Sequence, residues 1–265
     1  MRSRPAAAFL ALCIVLWPSC RRSGERADLT LAGSTSIQPF ADKWAEVFME
    51  AHPDYGVNVQ GGGSSAGIQA CKSGACQIGM SSRDLKGDEK DLVEIVVARD
   101  GLALIVHPSN PVRGAKIEEI KQIFAGDLRN WKLLGGRDRG ITVVTREEGS
   151  GTRGAFQELV MGKTRIFGGA ITEDSNGTVR EIVAHDPYAV GFISLGLVNE
   201  QVRALDLDGA SPTEAHIADG SYKLVRPFLF VSRGEPTGQA KAFVDFVLSD
   251  EGQALIRKEG LLPAR

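Results

Sequence analysis

Apolar and polar positions along the 265-residue chain follow two periods in turn. "LTLA" (29–32) reads as a short strand. Behind it, Ile37, Phe40, Ala41, Trp44, Val47, Phe48 and Ala51 recur at the spacing of a helix with one apolar face. Pro39 fits that helix because it falls in the first turn. "VNVQ" (57–60) predicts a second strand, and "GGGSSAGIQACKSG" a turn plus short helix. "QIGM" (77–80), "VEIVVA" (93–98) and the buried-looking run "GLALIVH" (101–107) predict three further strands. "IEEIKQIFAG" (117–126) is a helix stopped by Gly126. "ITVVT" (141–145) and "YAVGFIS" (188–194) are strands, with helices expected at about 152–161 and 177–185. "KLVRPFLFVS" (223–232) is a late strand, and one long helix is expected from Thr237 to about Lys258. This alternation predicts an α/β fold, mainly parallel sheet with helices on both faces. "HPSNP" and "RGEP" break both periods and are candidate crossing points between domains.

The first 27 residues stand outside this pattern. Arg2 and Arg4 precede the apolar stretch "AAAFLALCIVLW", which is short for a bilayer span. "PSC" and a polar run follow. The arrangement is similar to a bacterial lipoprotein signal over residues 1–20, with Cys20 as the lipidated residue and 21–27 as a tether. Trp17 and Pro18 depart from the usual site, and an ordinary secretory signal or an uncleaved anchor is the alternative. Either reading puts the protein in the periplasm or at the cell surface. In an oxidising compartment Cys71 and Cys76, in "ACKSGACQ", are candidates for a disulfide, on the order of 2–3 kcal/mol at best. Two buried free thiols are the alternative.

Charge excludes more than it identifies. Thirty-one Lys and Arg balance 33 Asp and Glu, so nothing points to nucleic acid. A ligand must be held by local geometry. One local feature repeats: strands run into Ser/Thr/Gly turns that open helices, at "LTLAGSTS", "VNVQGGGSSAG" and "VVTREEGSGT", and "QIGM" exits into "SSRD". At the carboxyl ends of sheet strands such turns offer unpaired N–H groups and hydroxyl donors. Any one turn is ordinary helix capping; four in series, with Arg146 at the mouth of one, point to an anion site.

Covalent chemistry finds no support. Ser150 stands in Glu148-Gly149-Ser150-Gly151-Thr152, which fails G-x-S-x-G at both glycines. His52, His107, His185 and His216 have no catalytic context. There is no P-loop and no H-E-x-x-H, so no cofactor or metal is expected.

The blocks "AGSTSIQP", "GGGSSAGI", "IGMSSRDL", "GLALIVHPSNPV", "IFAGDLRNW" and "TREEGSGTRGAF" together resemble the solute-binding subunit of Pst-type phosphate ABC importers, from about residue 29 to the C-terminus. The resemblance implies a type II periplasmic binding protein: two α/β lobes joined by two crossing strands, with the ligand in the cleft. "GLALIVH" and "PFLFVS" would be the crossings, lobe 1 residues 28–104 plus 227–265, and lobe 2 residues 105–226. It implies phosphate held by Thr35, Ser36, Ser64, Ser82, Arg146, Ser150, Gly151 and Thr152, with Glu148 bracing Arg146. The implied partners are inorganic phosphate and an inner-membrane ABC permease, with the membrane touched through the lipid anchor only and the protein a monomer. Other tetrahedral oxyanions (sulfate, molybdate, tungstate) and a phosphate-sensing role are the alternatives. Ser82 stands where an aspartate is common in the family. A serine there can accept a ligand proton but cannot repel a fully ionised anion.

Overall fold

The computed structural model describes residues 27–264, so the signal expected over 1–20, Cys20, and the tether up to residue 26 lie outside the described residues. The chain opens with β1 (Ala27–Gly33), α1 (Gln38–Ala51), β2 (Tyr55–Gln60), α2 (Ser64–Ser73), β3 (Ile78–Ser81) and β4 (Val93–Val106). It continues through β5 (Gly114–Ala115), α3 (Ile117–Ala125), β6 (Thr142–Arg146), α4 (Gly151–Phe156), β7 (Ile171–Glu173), α5 (Asn176–His185) and β8 (Ala189–Ser194). It closes with β9 (Arg203–Ala204), β10 (Asp206–Leu207), α6 (Glu214–Ala218), β11 (Val225–Ser232), α7 (Gly238–Leu248), α8 (Asp250–Arg257) and β12 (Leu262–Pro263).

The main sheet runs β2-β1-β3-β11-β4-β8-β6-β7. Each end is parallel: β1 pairs with β2 and β3, and β6 with β7 and β8. The middle is antiparallel, because β11 pairs with both β3 and β4, and β4 with β8. "VEIVVA" and "GLALIVH" are therefore one 14-residue strand, not two. Over Val93–Gly101 it pairs with β11; over Leu102–Val106 it pairs with β8. That single strand carries the chain from one half of the sheet to the other.

Side chains alternate across both crossing strands, as period-2 geometry requires. Phe228 and Phe230 of β11 enter a core with Trp44, Phe48 and Phe243, while Leu229 and Val231 face Ile68, Cys71 and Cys76. Along β4, Leu102, Leu104 and Val106 meet Phe124, Phe156 and Phe192, and Ala103 and Ile105 meet Val179 and Val183. Both faces are thus covered, which explains the near-continuous apolar runs. The Phe156 and Phe192 rings stack at 4.2 Å. No helix of the described residues is long and apolar enough to cross a membrane.

Two helices differ from expectation. The pattern at 152–161 is α4 followed by one π-helical turn, Gln157–Met161. The long helix expected over 237–258 is two helices. Ser249 is extended (φ −69°, ψ 164°), and its side chain accepts the Gly252 N–H as the cap of α8. A Cβ on Gly252 would collide with the Phe246 and Val247 carbonyls, so the bare glycine lets α8 fold back on α7. Apolar spacing continues across the break, which hid it. Cys71 and Cys76 are free thiols, both buried.

Two measurements follow from these elements. Ser249→Ala removes the α8 cap and costs about 1 kcal/mol of stability in a urea titration. Thiol labelling of the unfolded, unreduced protein, mapped to the segment containing Cys71 and Cys76, labels both; protection released only by reductant would mean that the thiols have paired.

Candidate functional site

The Ser/Thr/Gly turns converge where the two halves of the sheet meet. The turn between β1 and α1 supplies Ser34, Thr35 and Ser36; the start of α2 supplies Ser64; the exit of β3 supplies Ser82. The other half supplies Arg146 at the end of β6 and Ser150, Gly151 and Thr152 at the start of α4. Contacts cross between the halves. Ser36 Oγ and Thr152 Oγ1 lie 2.8 Å apart, Arg146 Nη2 donates to Thr35 Oγ1 at 3.3 Å, and Ser65 N–H donates to the Gly149 carbonyl at 3.1 Å. A Cβ on Gly151 would overlap Ser64 Oγ and Ser82 Oγ, so only glycine permits this approach. Ser82 Oγ accepts from Ser34 Oγ at 2.8 Å and lies 3.4 Å from Ser64 Oγ. Ser150 Oγ accepts the Arg153 N–H at 3.2 Å, capping α4.

Arg146 is 1% exposed, and its guanidinium is nearly fully committed. Nε donates to Glu147 Oε2 and to the Glu173 carbonyl, both at 3.1 Å. Nη2 donates to Glu147 Oε1 at 3.2 Å and to the Asp174 carbonyl at 2.7 Å, besides Thr35. Nη1 is buried and has no hydrogen-bond partner among the described residues. Burial pulls this guanidinium below the usual arginine range, and the Glu147 carboxylate opposes the shift.

The brace is Glu147, not Glu148. Glu147 N–H is tied to Glu173, and its carbonyl accepts from Ser150 N–H, so Glu147 opens a tight turn beside the sheet. Glu148 sits at the corner of that turn. Its side chain is 92% exposed and lies 3.9 Å from Arg153, away from Arg146. Arg83, in the "SSRD" turn, is likewise engaged elsewhere, on Glu89 and Ser65.

Three residues absent from the sequence reading complete the site. Asn176, at the start of α5, donates from Nδ2 to Ser36 Oγ at 2.9 Å and Thr35 Oγ1 at 3.2 Å. Arg226 of β11 donates to Ser36 Oγ at 3.2 Å. Asp100 of β4 holds Arg226, with Oδ2 2.9 Å from Nε and 2.8 Å from Nη2. Asp100 also accepts from Ser194 Oγ at 2.8 Å. Burial pushes the Asp100 carboxyl up and the Arg226 guanidinium down, and each charge works against the other's shift. A signal existed for all three. Asp100 and Arg226 are opposite charges set in apolar strand runs, and Asn176 lies in "EDSNGT", a further polar turn opening a helix.

Two α/β halves, a pair of antiparallel crossing strands, and a cleft lined by donors from both halves define a solute-binding protein of the type II class. The relatives agree. A model of the PBP superfamily domain matches residues 21–251. The phosphate-binding protein PstS of Bacillus subtilis is 39% identical over 241 residues, spanning 89% of this chain and 80% of that protein. A Clostridium perfringens structure, assigned as a phosphate ABC transporter substrate-binding protein and solved with bound phosphate, superposes with a TM-score of 0.87 at 42% identity, over 90% of this chain and all of that one (100%). An ABC-type phosphate transport receptor from Vibrio cholerae follows with a TM-score of 0.74 at 39% identity, over 88% of this chain and 99% of its own. The chain belongs to the PBP superfamily and, within it, to the PstS family of substrate-binding proteins.

The ion pair between the crossing strands has a stability consequence. Asp100→Asn leaves Arg226 charged and uncompensated in the interior, and costs about 3–5 kcal/mol in denaturant unfolding. Replacing both residues by apolar ones of similar volume costs less than that single change.

Proposed function

We propose that this protein captures inorganic phosphate outside the cytoplasm by closure of its two lobes and delivers it to an ABC permease. One observation carries the reading: a guanidinium that is 1% exposed and reaches the Thr35 hydroxyl through Nη2 keeps a buried donor, Nη1, with no partner among the described residues. A buried cationic donor is costly unless an anion meets it. The names of the relatives supply the anion, and hydroxyl donors without bulk suit its oxygens.

In this reading, Thr35, Ser36, Ser64 and Ser82 hold the anion from lobe 1 (28–104 plus 227–265). Arg146, Ser150, Gly151 and Thr152 hold it from lobe 2 (105–226). Glu147 tempers the Arg146 charge and fixes its plane. Ligand contacts on both sides of the cleft favour the closed form over the open one, which drives the closure. Lipidation at Cys20 would keep a monomer tethered beside the permease. Ser82 favours a second reading, a wider tetrahedral oxyanion specificity that includes sulfate, because no carboxylate stands there to reject a fully ionised ligand.

Calorimetry tests both readings. Arg146→Ala keeps its fold and loses roughly 2–4 kcal/mol of phosphate affinity. Affinity close to that of the unmodified protein would mean that the site lies elsewhere. Saturable sulfate binding as tight as phosphate would favour the second reading over the first.

A further inference from the structure

One face of α4 lies bare against the half of the protein that carries β1, β2 and β3. A Cβ on Gly151 would overlap the Ser64 and Ser82 hydroxyls. One turn further along the same face, a Cβ on Gly154 would stand 2.8 Å from Arg83 Cδ. The two approaches differ in kind. Gly151 meets oxygens of the cleft, whereas Gly154 meets the stem of an arginine whose charge is spent within its own half.

The weight of the Gly154 contact depends on whether that stem can give way. Arg83 is 8% exposed. Its Nη1 donates to Glu89 Oε2 at 2.7 Å and to the Asp84 carbonyl at 2.9 Å. Its Nη2 donates to Glu89 Oε1 at 2.9 Å and to Ser65 Oγ at 3.2 Å. The four protons on these two nitrogens therefore have four acceptors, and the pairing with Glu89 is bidentate. At the other end of the stem, the Arg83 carbonyl accepts from Ser81 Oγ at 2.8 Å. A side chain tied at its tip and at its backbone has little room to swing. All of these partners precede β4, while Gly154 lies beyond it.

The distances show what a side chain at position 154 would do. Two carbons settle at about 3.5 Å or more, so a methyl group there lifts α4 off Arg83 by roughly 0.7 Å. The same shift carries the 2.8 Å contact between Ser36 and Thr152 to the limit of a hydrogen bond. Lys86 and Glu158, 4.0 Å apart on the same edge, do not compensate, because both side chains are more than half exposed.

We propose that Gly154 and Arg83 set how far the two halves close. The Arg83 stem, fixed by Glu89, is the surface on which α4 comes to rest, and the missing side chain at 154 lets α4 lie flush against it. That depth of closure brings Ser150, Gly151 and Thr152 within reach of an anion held by the Ser/Thr turns of the other half. This rests on the phosphate-capture reading above. Gly154 and Arg83 are positioning residues.

The test compares stability and phosphate affinity in the full-length protein and its variants. Gly154 lies inside a continuous helical run, so Gly154→Ala favours the helix by propensity. The urea midpoint of the ligand-free variant is unchanged or raised. Its phosphate affinity, measured by calorimetry, falls roughly tenfold, the equivalent of one hydrogen bond lost across the cleft. On an Arg83→Ala background the stem is gone, and adding Gly154→Ala then costs no affinity. If Arg83→Ala does not fold, the opposite signs of the two effects in Gly154→Ala decide the matter alone. Affinity in Gly154→Ala within about twofold of the unmodified protein, or an equal loss on both backgrounds, would overturn the proposal. Absence of phosphate binding in the unmodified protein would instead overturn the phosphate reading itself.

Discussion

Asp100 and Arg226 place opposite charges on the two antiparallel strands that cross between the halves of the sheet, in runs that are otherwise apolar. Both are almost fully buried, and neither has water to fall back on. A buried pair of this kind gains little net stability over an apolar substitute, yet breaking it is expensive. Its effect is on register. The strands can pair in only one way that brings carboxylate and guanidinium together, and that register sets Arg226 against Ser36. The halves of the molecule and the donor wall of the cleft are aligned by the same contact.

Arg146 and Arg226, both buried, show how charge is divided in the cleft. Arg226 is matched by a carboxylate that approaches it at two nitrogens, and its remaining reach goes to protein oxygens. Arg146 is matched by Glu147, which is only partly buried, and one of its nitrogens has no partner among the described residues. Burial strengthens every electrostatic contact at both sites. At the first it rigidifies the frame; at the second it leaves a donor for an anion. A site with two uncompensated arginines would bind anions by charge alone and discriminate poorly between them.

Much of this was legible in the chain. The Ser/Thr/Gly turns at strand ends, the apolar helix faces and the glycine stops all arise from interactions within a few residues, and each turn identified lies at the cleft. The misreadings have physical causes. The apolar period runs unbroken from α7 into α8, because both helices bury the same kind of face; the extended Ser249 cap and the close approach at Gly252 mark the break. "VEIVVA" and "GLALIVH" looked like two strands because Arg99, Asp100 and Gly101 interrupt the apolar run, although that interruption is the polar crossing itself. The family resemblance implies Glu148 as the brace; the turn instead sets Glu148 at its exposed corner and Glu147 against Arg146, and two adjacent carboxylates in a sequence carry no sign of which one faces inward.

The sequence by itself determined which segments become strands and helices, and that donors cluster where they join. Capping chemistry, apolar period and backbone freedom act locally and leave a local trace. Only the tertiary structure decided which donors share a cleft, that Asp100 pairs with Arg226, and that Asn176 and Arg226 both saturate Ser36. Those partners are separated by 126, 140 and 190 positions in the chain. A hydrogen bond depends on distance and direction in space, so its partners carry no shared local pattern until the fold has brought them together.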